Sequence, residues 1–178
     1  ILKEYPSLIV FTKNENMNYL IDAYNYDMII NALVGFVGLE PTVHALNKGI
    51  DVALANKESL VVGGGLIKNI LSKSKAKLYP IDSEHVALSK CLKNKKIEKI
   101  DKLILTASGG PFRNNKREDL LNVTPKEALK HPSWSMGDKI SIDSATMINK
   151  GFEIIEAYYL FDIPVDKIDV LLHDESVI

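Results

Sequence analysis

Disulfides, membrane spans and a nucleotide-phosphate loop are what this sequence most plainly lacks. Its one cysteine, Cys91, cannot close an internal disulfide and suits a reducing compartment. Set in the apolar helical pattern Val86, Leu88, Cys91, Leu92, it reads as a packing residue. No apolar run approaches the roughly 20 residues that span a bilayer, and no signal-peptide pattern opens the chain, so no membrane partner is expected. Twenty-two Lys+Arg against 23 Asp+Glu give a net charge of −1, which leaves no broad basic surface for nucleic acid. The basic run from Lys93 to Lys99 reads as a surface turn. Gly63-Gly64-Gly65 fits neither GxGxxG nor GxxxxGKS/T, and inside a helical segment it reads as a helix interruption. Gly35 and Gly38 complete no such fingerprint either. The chain begins with Ile1 rather than methionine and ends straight after a predicted strand, so it reads as a piece of a longer protein.

What is present is an alternation of short apolar runs with helical patterns, in a chain long enough to bury a core as one domain or two small ones. Residues 1–26 read as a strand followed by a helix. Asp27 to Gly35 (DMIINALVG) is almost continuously apolar and bounded by glycine, as in a strand buried on both faces of a parallel sheet. A helix follows, with Pro41 in its first turn and Gly49 as its stop. Asp51 to Ala55 is the next strand. At its carboxyl end, where open α/β sheets bind ligands, stand Asn56, Lys57 and Glu58, and a helix continues toward Lys75. The strand Lys77 to Ile81 leads into Asp82-Ser83-Glu84 and a helix through about Lys93. The strand Lys102 to Ala107 ends at Ser108-Gly109-Gly110-Pro111. Thr124 to Glu127 is a capping box with proline at the first helical position, and that short helix stops before His131. A turn at Asp162 to Pro164 precedes a last strand, Ile168 to His173. The succession argues for an α/β fold with parallel strands.

The stretch around which the rest is organised is His131 to Glu156, HPSWSMGDKISIDSATMINKGFEIIE. It opens as a loop on His131, Pro132, Trp134 and Gly137. Lys139-Ile140-Ser141-Ile142 alternates with period two and reads as a short strand. Asp143 and Ser144 are N-cap residue types, so a helix is expected to begin there, with Ile148, Ile155 and Tyr159 at inward-facing spacing. Asn149, Lys150 and Glu153 lie three and four apart and share one face near its start. A helix N-terminus favours an anion, so this gathering of a hydroxyl, an amide, an ammonium and a carboxylate fits an anion site. A capped amphipathic helix with solvated polar residues accounts for the same pattern. Likewise Asp82-Ser83-Glu84 fits an ordinary N-cap, or two hard oxygen ligands for Mg²⁺ or Mn²⁺ once folding brings a third carboxylate near.

The wording of these stretches closely resembles the 1-deoxy-D-xylulose 5-phosphate reductoisomerase family. The matching runs are DSATMINKGFE, HPSWSMG, IDSEH, ALANKES at 53–59, SGGPF at 108–112 and INALVGFVGLEPT at 30–42. The resemblance covers nearly the whole chain from Ile29 onward. It implies the C-terminal part of a Rossmann-like NADPH-binding domain, residues 1–79, followed by an α/β (α+β) catalytic domain, residues 80–178. The family's glycine-rich dinucleotide loop and C-terminal helical domain are not among these residues. The implied activity is NADPH-dependent, Mg²⁺- or Mn²⁺-assisted rearrangement and reduction of 1-deoxy-D-xylulose 5-phosphate to 2-C-methyl-D-erythritol 4-phosphate, in the non-mevalonate isoprenoid pathway.

Carried over position by position, the resemblance implies metal ligation by Asp82, Glu84 and Glu153, the metal acting as a Lewis acid on substrate oxygens. It implies substrate contacts from Lys57, Ser83, Glu84, Ser108, His131, Trp134, Ser144, Asn149, Lys150 and Glu153. Among these Ser108, Ser144, Asn149 and Lys150 hold the phosphate. Catalytic roles fall to Lys57, Glu84, Glu153 and His131, and cofactor contacts to Asn56, Glu58 and Gly137. His131 and Trp134 belong to a loop that closes over the substrate. Ala107, Phe152 and Asp174 depart from the family's usual glycine, leucine and proline, and none is a proposed ligand. A homodimer is implied, in the cytoplasm of a bacterium or the plastid of a plastid-bearing eukaryote. Two other functions stay open on the residues: a metal-dependent phosphosugar isomerase or aldolase with no nicotinamide step, and a non-catalytic phosphosugar-binding or oligomerisation module.

Overall fold

The structure, a computed structural model, describes residues 3–7, 10, 17–130 and 136–173. Three parallel strands form the first sheet in the order β1 (Met28–Asn31), β2 (Asp51–Leu54), β3 (Leu78–Pro80), with Ile30, Ala53 and Tyr79 side by side. After α1 (Met17–Ala23), helices α2 (Leu39–Asn47) and α3 (Lys57–Leu71) make the crossovers between them. They pack Leu46, Leu60 and Ile67 onto Val52 and Leu54 in one apolar core. Side chains alternate along a strand. Ile29 and Asn31 therefore meet the helices, while Met28 and Ile30 stand 44% and 71% exposed on the other face. So β1 is covered on one face among the described residues, not on both as its apolar run suggested. The strand expected ahead of α1 falls largely outside the described residues.

A second sheet pairs β4 (Leu103–Ala107) in parallel with β5 (Ile168–Leu172). Between them run α5 (Pro125–Ala128), α6 (Asp138–Ala145) and α7 (Ile148–Phe161), while α4 (Ser83–Leu92) leads into β4. Leu88, Leu103, Leu105, Ala157, Ile163 and Ile168 form the second core. Helix α7 belongs to both: Tyr159 and Leu160 pack on the first core, Ala157 and Ile154 on the second. It is the common wall of the two halves.

Five local expectations are corrected. Lys139-Ile140-Ser141-Ile142 is helical, inside α6, because four alternating residues fit either period. The i,i+4 pair Lys139–Asp143 (2.5 Å) and the Ser141 hydroxyl donating to the Gly137 carbonyl (2.9 Å) favour the helix. Asp143 and Ser144 consequently lie within α6, and α7 starts after Met147, which takes the left-handed conformation at φ 60°. Ile148 is 47% exposed; the face of α7 turned inward carries Lys150, Glu153, Glu156 and Ala157. Gly63-Gly64-Gly65 does not interrupt α3: a Cβ on Gly63 would meet Leu39 and one on Gly64 would meet Tyr159, each 2.3 Å away, so these glycines admit α2 and α7 at close range. Finally, Cys91 is exposed on α4, where Leu88 and Leu92 take the inward positions.

Candidate metal- and anion-binding site

Site residues arrive from element ends. Asn56 caps α3 through its side-chain oxygen, which accepts from the Ser59 backbone, and Lys57 is the helix's first residue. Asp82 caps α4 in the same way, accepting from the Glu84 backbone at 3.4 Å. Both the capping and the ligand readings of Asp-Ser-Glu are therefore compatible with its placement: one Asp82 oxygen caps, and the other meets the Lys57 ammonium. The Ser83 hydroxyl donates to Glu84 Oε2 at 2.7 Å. From the first turns of α7 come Asn149, Lys150 and Glu153.

Lys57, Asp82, Ser83, Glu84, Asn149, Lys150 and Glu153 line one cavity of about 650 Å³, together with Ser108, Gly109 and Ser144. Lys57 faces Asp82, lies 3.4 Å from Glu153 Oε1, and lies 3.9 Å from Glu156 Oε2. Lys150 is buried and donates to Glu84 Oε1 at 2.9 Å and to the Thr106 carbonyl at 2.6 Å, with Glu153 Oε2 at 2.5 Å. The Asn149 amide donates to Glu153 Oε1 at 2.6 Å. Glu153 is 1% exposed and meets two ammonium groups and one amide. Burial raises the Glu84 carboxyl, but the Lys150 charge and the hydrogen bonds from Ser83 and Lys150 outweigh it and hold the group below its ordinary value.

Three carboxylates against two ammonium groups leave the cavity wall acidic. One oxygen from each of Asp82, Glu84 and Glu153 lies within 4.8 Å of the others, an all-oxygen set suited to a hard divalent cation. A second grouping, Asp82, His85 and Glu156, also meets within 4.8 Å, but His85 and Glu156 sit behind the cavity wall. His85 Nε2 donates to the Glu153 carbonyl at 3.0 Å, and burial pulls the imidazole down to about 4, so the ring is neutral with Nδ1 as a lone pair. Glu156 is equally buried, and burial pushes its carboxyl up to about 8 against the opposing pull of Lys57. Neither was singled out from the sequence. The available signal was position: His85 follows Glu84 directly, and Glu156 is one helical turn beyond Glu153.

The anion side is built where β4 ends. Gly109 and Gly110 take φ of 78° and 70°, and a Cβ on Gly110 would stand 2.6 Å from the Ser144 carbonyl. That contact presses the Ser-Gly-Gly turn onto the C-terminal end of α6 and brings Ser108 and Ser144 to the same cavity as Asn149 and Lys150. The sequence-predicted cofactor residues lie apart from it. Asn56 is buried and engaged with the Leu33 and Gly35 carbonyls, Glu58 and Ser59. Glu58 pairs with Lys139 at 2.7 Å; burial raises its carboxyl, but the Lys139 contact helps hold it below its ordinary value. Gly137 precedes α6, its carbonyl taking the Ser141 hydroxyl. His131 and Trp134 lie outside the described residues.

Residues 2–64 match the family model for 1-deoxy-D-xylulose 5-phosphate reductoisomerase, and residues 78–161 match the model for that enzyme's C-terminal domain. The chain belongs to the 1-deoxy-D-xylulose 5-phosphate reductoisomerase family. It is 53% identical over 164 residues to the enzyme of Clostridium kluyveri, covering 92% of this chain and 43% of that one. It is 51% identical over 172 residues to that of Macrococcus caseolyticus, covering 97% and 46%. A solved reductoisomerase in complex with NADPH, fosmidomycin and magnesium superposes with a TM-score of 0.86 at 40% identity, over 99% of this chain and 46% of that one. The Zymomonas mobilis reductoisomerase in complex with NADPH gives 0.81 at 45% identity, over 90% and 42%. The chain thus spans less than half the length of the reductoisomerases it matches. The expected fold class, α/β with parallel strands, is that of these structures.

Proposed function

We propose that this chain carries the metal- and phosphosugar-binding part of a reductoisomerase that converts 1-deoxy-D-xylulose 5-phosphate to 2-C-methyl-D-erythritol 4-phosphate with NADPH. The observation that carries the reading is the convergence of Asp82, Glu84 and Glu153, distant along the chain, on one cavity that also holds Ser108, Ser144, Asn149 and Lys150. The family relationship, and related structures in complex with NADPH and magnesium, support the cofactor assignments. Asp82, Glu84 and Glu153 would hold Mg²⁺ or Mn²⁺, which supplies Lewis acidity toward substrate oxygens; NADPH supplies the hydride. Ser108, Ser144 and Asn149 donate to the phosphate, holding the substrate in register at a distance from the reacting carbons. Lys150 adds positive charge beside that cradle and pairs with Glu84 and Glu153. Lys57 presents an ammonium to the substrate from the opposite wall, with Ser83 beside it. His131 and Trp134 cover the bound sugar and exclude water, and Asn56, Glu58 and Gly137 shape the nicotinamide side.

Within this reading residues 1–79 belong to the nucleotide domain and 80–178 to the catalytic domain, a division supported by the separate family matches to 2–64 and 78–161. The full-length protein is a homodimer, which sedimentation velocity would test. No described helix is long and apolar enough to cross a membrane, and the bacterial relatives favour the cytoplasmic over the plastid location.

The deciding experiment is substrate-dependent oxidation of NADPH by the full-length protein in Mg²⁺ or Mn²⁺. Glu153→Gln is expected to lower turnover by about a hundredfold or more, given that loss of even an outer-shell partner of a metal ligand costs ~10–100-fold. Turnover near that of the unsubstituted protein would remove Glu153 from the metal site. Phosphosugar conversion without NADPH oxidation would instead support the isomerase or aldolase alternative.

A further inference from the structure

Glu58 is held at both carboxylate oxygens. Oε2 accepts from the Asn56 amide at 3.0 Å, within the turn that opens α3, and Oε1 meets the Lys139 ammonium at 2.7 Å. Lys139 comes from the other half of the chain, in the first turn of α6 and two residues beyond Gly137. Its ammonium also meets Asp143 at 2.5 Å and stands 5.5 Å from the centre of the Phe152 ring on α7. One cation therefore joins α3, α6 and α7. An isolated ion pair on a surface contributes little, because water and side-chain entropy offset the attraction. Here the Glu58 and Asp143 side chains are each only 17% exposed, and a second carboxylate and a ring face hold the same ammonium in place. Without it Glu58 and Asp143 would be two carboxylates with no cation between them, and like charges repel. Lys139 does not line the cavity that holds Asp82, Glu84 and Glu153.

We propose that Lys139 is a positioning residue for Glu58, fixing where that carboxylate stands toward NADPH and tying the cofactor side of the site to α6. This rests on the cofactor role given to Glu58 under Proposed function, and deepens it. Lys139 acts through Glu58 and touches neither the metal ligands nor the phosphate cradle in this role. It also explains why the turn that opens α3 and the segment that carries Gly137 keep a common register: Glu58 and α6 share one ammonium.

Titration of the full-length protein with NADPH, followed by nicotinamide fluorescence, tests this. Lys139→Met keeps an aliphatic stem and removes the charge. It should weaken NADPH binding about three- to tenfold, the size of a coupling between contacting residues. Lys139→Arg, which restores a cation, should recover most of the loss. Mn²⁺ affinity, read from the electron paramagnetic resonance signal of the free ion, should equal that of the unsubstituted protein. Glu58→Gln should also weaken NADPH binding, and adding Lys139→Met to it should cost no more. Unchanged NADPH affinity in Lys139→Met overturns the proposal. A parallel loss of Mn²⁺ affinity does so too, since it marks a general loosening of the fold. So does a further loss in the double variant, because Lys139 would then act other than through Glu58. Lys139 belongs to neither apolar core, so the variant is expected to fold; if circular dichroism shows otherwise, Lys139→Gln replaces it under the same criteria. NADPH binding unaltered in Glu58→Gln overturns the cofactor role of Glu58 itself and the proposal with it, a failure distinct from the others.

Discussion

Lys150 shows how one side chain can serve both packing and chemistry. Its ammonium is buried among Glu84, Glu153 and the Thr106 carbonyl, so it is no free cation waiting for an anion. Replacing it by methionine keeps most of the volume and strands two carboxylates with one fewer partner. Breaking a buried pair in this way costs about 3–5 kcal/mol. Lys150→Met should lower the urea midpoint of the chain in chelator-treated buffer, and a shift within experimental error would show that the pairing carries little stability. The sequence reading placed Lys150 on the phosphate; its carboxylate partners come from α4 and from one turn along α7, and only Glu153 could be guessed from spacing. Gly110 makes a parallel case. Its positive φ and the nearby Ser144 carbonyl both oppose a side chain, so Gly110→Ala should destabilise by more than about 1–2 kcal/mol, measured by the same denaturation.

At the scale of elements, the Gly63-Gly64-Gly65 run in α3 separates propensity from packing. Gly65 has nothing within 4 Å of a built Cβ, whereas Gly64 would drive one into the Tyr159 ring of α7. Gly65→Ala should therefore stabilise the chain by up to about 1 kcal/mol through helix propensity. Gly64→Ala should destabilise it by about 1–3 kcal/mol through overpacking. Thermal melts that moved both variants in the same direction would contradict the packing assigned to α3 and α7. Composition alone cannot tell these glycines apart, which is why the triplet reads as a helix break in the sequence. The same limit acts on KISI in α6, where four residues are too few to distinguish a period of 2 from one of 3.6. Longer signals were legible: the capping box at Thr124 with Pro125 appears as α5, Asn56 and Asp82 cap the helices they precede, and DVAL and LILTA are strands.

Across the whole molecule, two buried titratable groups set opposing pH dependences. Glu156 keeps its proton in the fold to about pH 8, while in the unfolded chain it ionises near 4.5. The folded state therefore binds more protons over that window, and this group makes stability fall as pH rises from 4.5 to about 8. His85 stays neutral in the fold down to about pH 4 but protonates near 6.5 when unfolded, so it makes stability rise with pH between those values. Above 6.5 only the Glu156 effect remains of the two, and Glu156→Gln should flatten the decline in denaturation midpoint toward pH 8 without altering the His85 limb. An unchanged slope would show that Glu156 ionises normally in the fold. Neither group is perturbed by its sequence neighbours alone; burial between α4 and α7 perturbs both. By itself the sequence determined the α/β class, most strands and helix caps, and the identities of the acidic and anion-binding candidates, because periodicity, capping and motif wording are local properties. Only the tertiary structure decided that α7 turns its charged face inward, that Lys57 and Lys150 are held by carboxylates from α4 and α7, and that His85 and Glu156 stand behind them. Those are distances between residues far apart in the chain, and no local pattern encodes them.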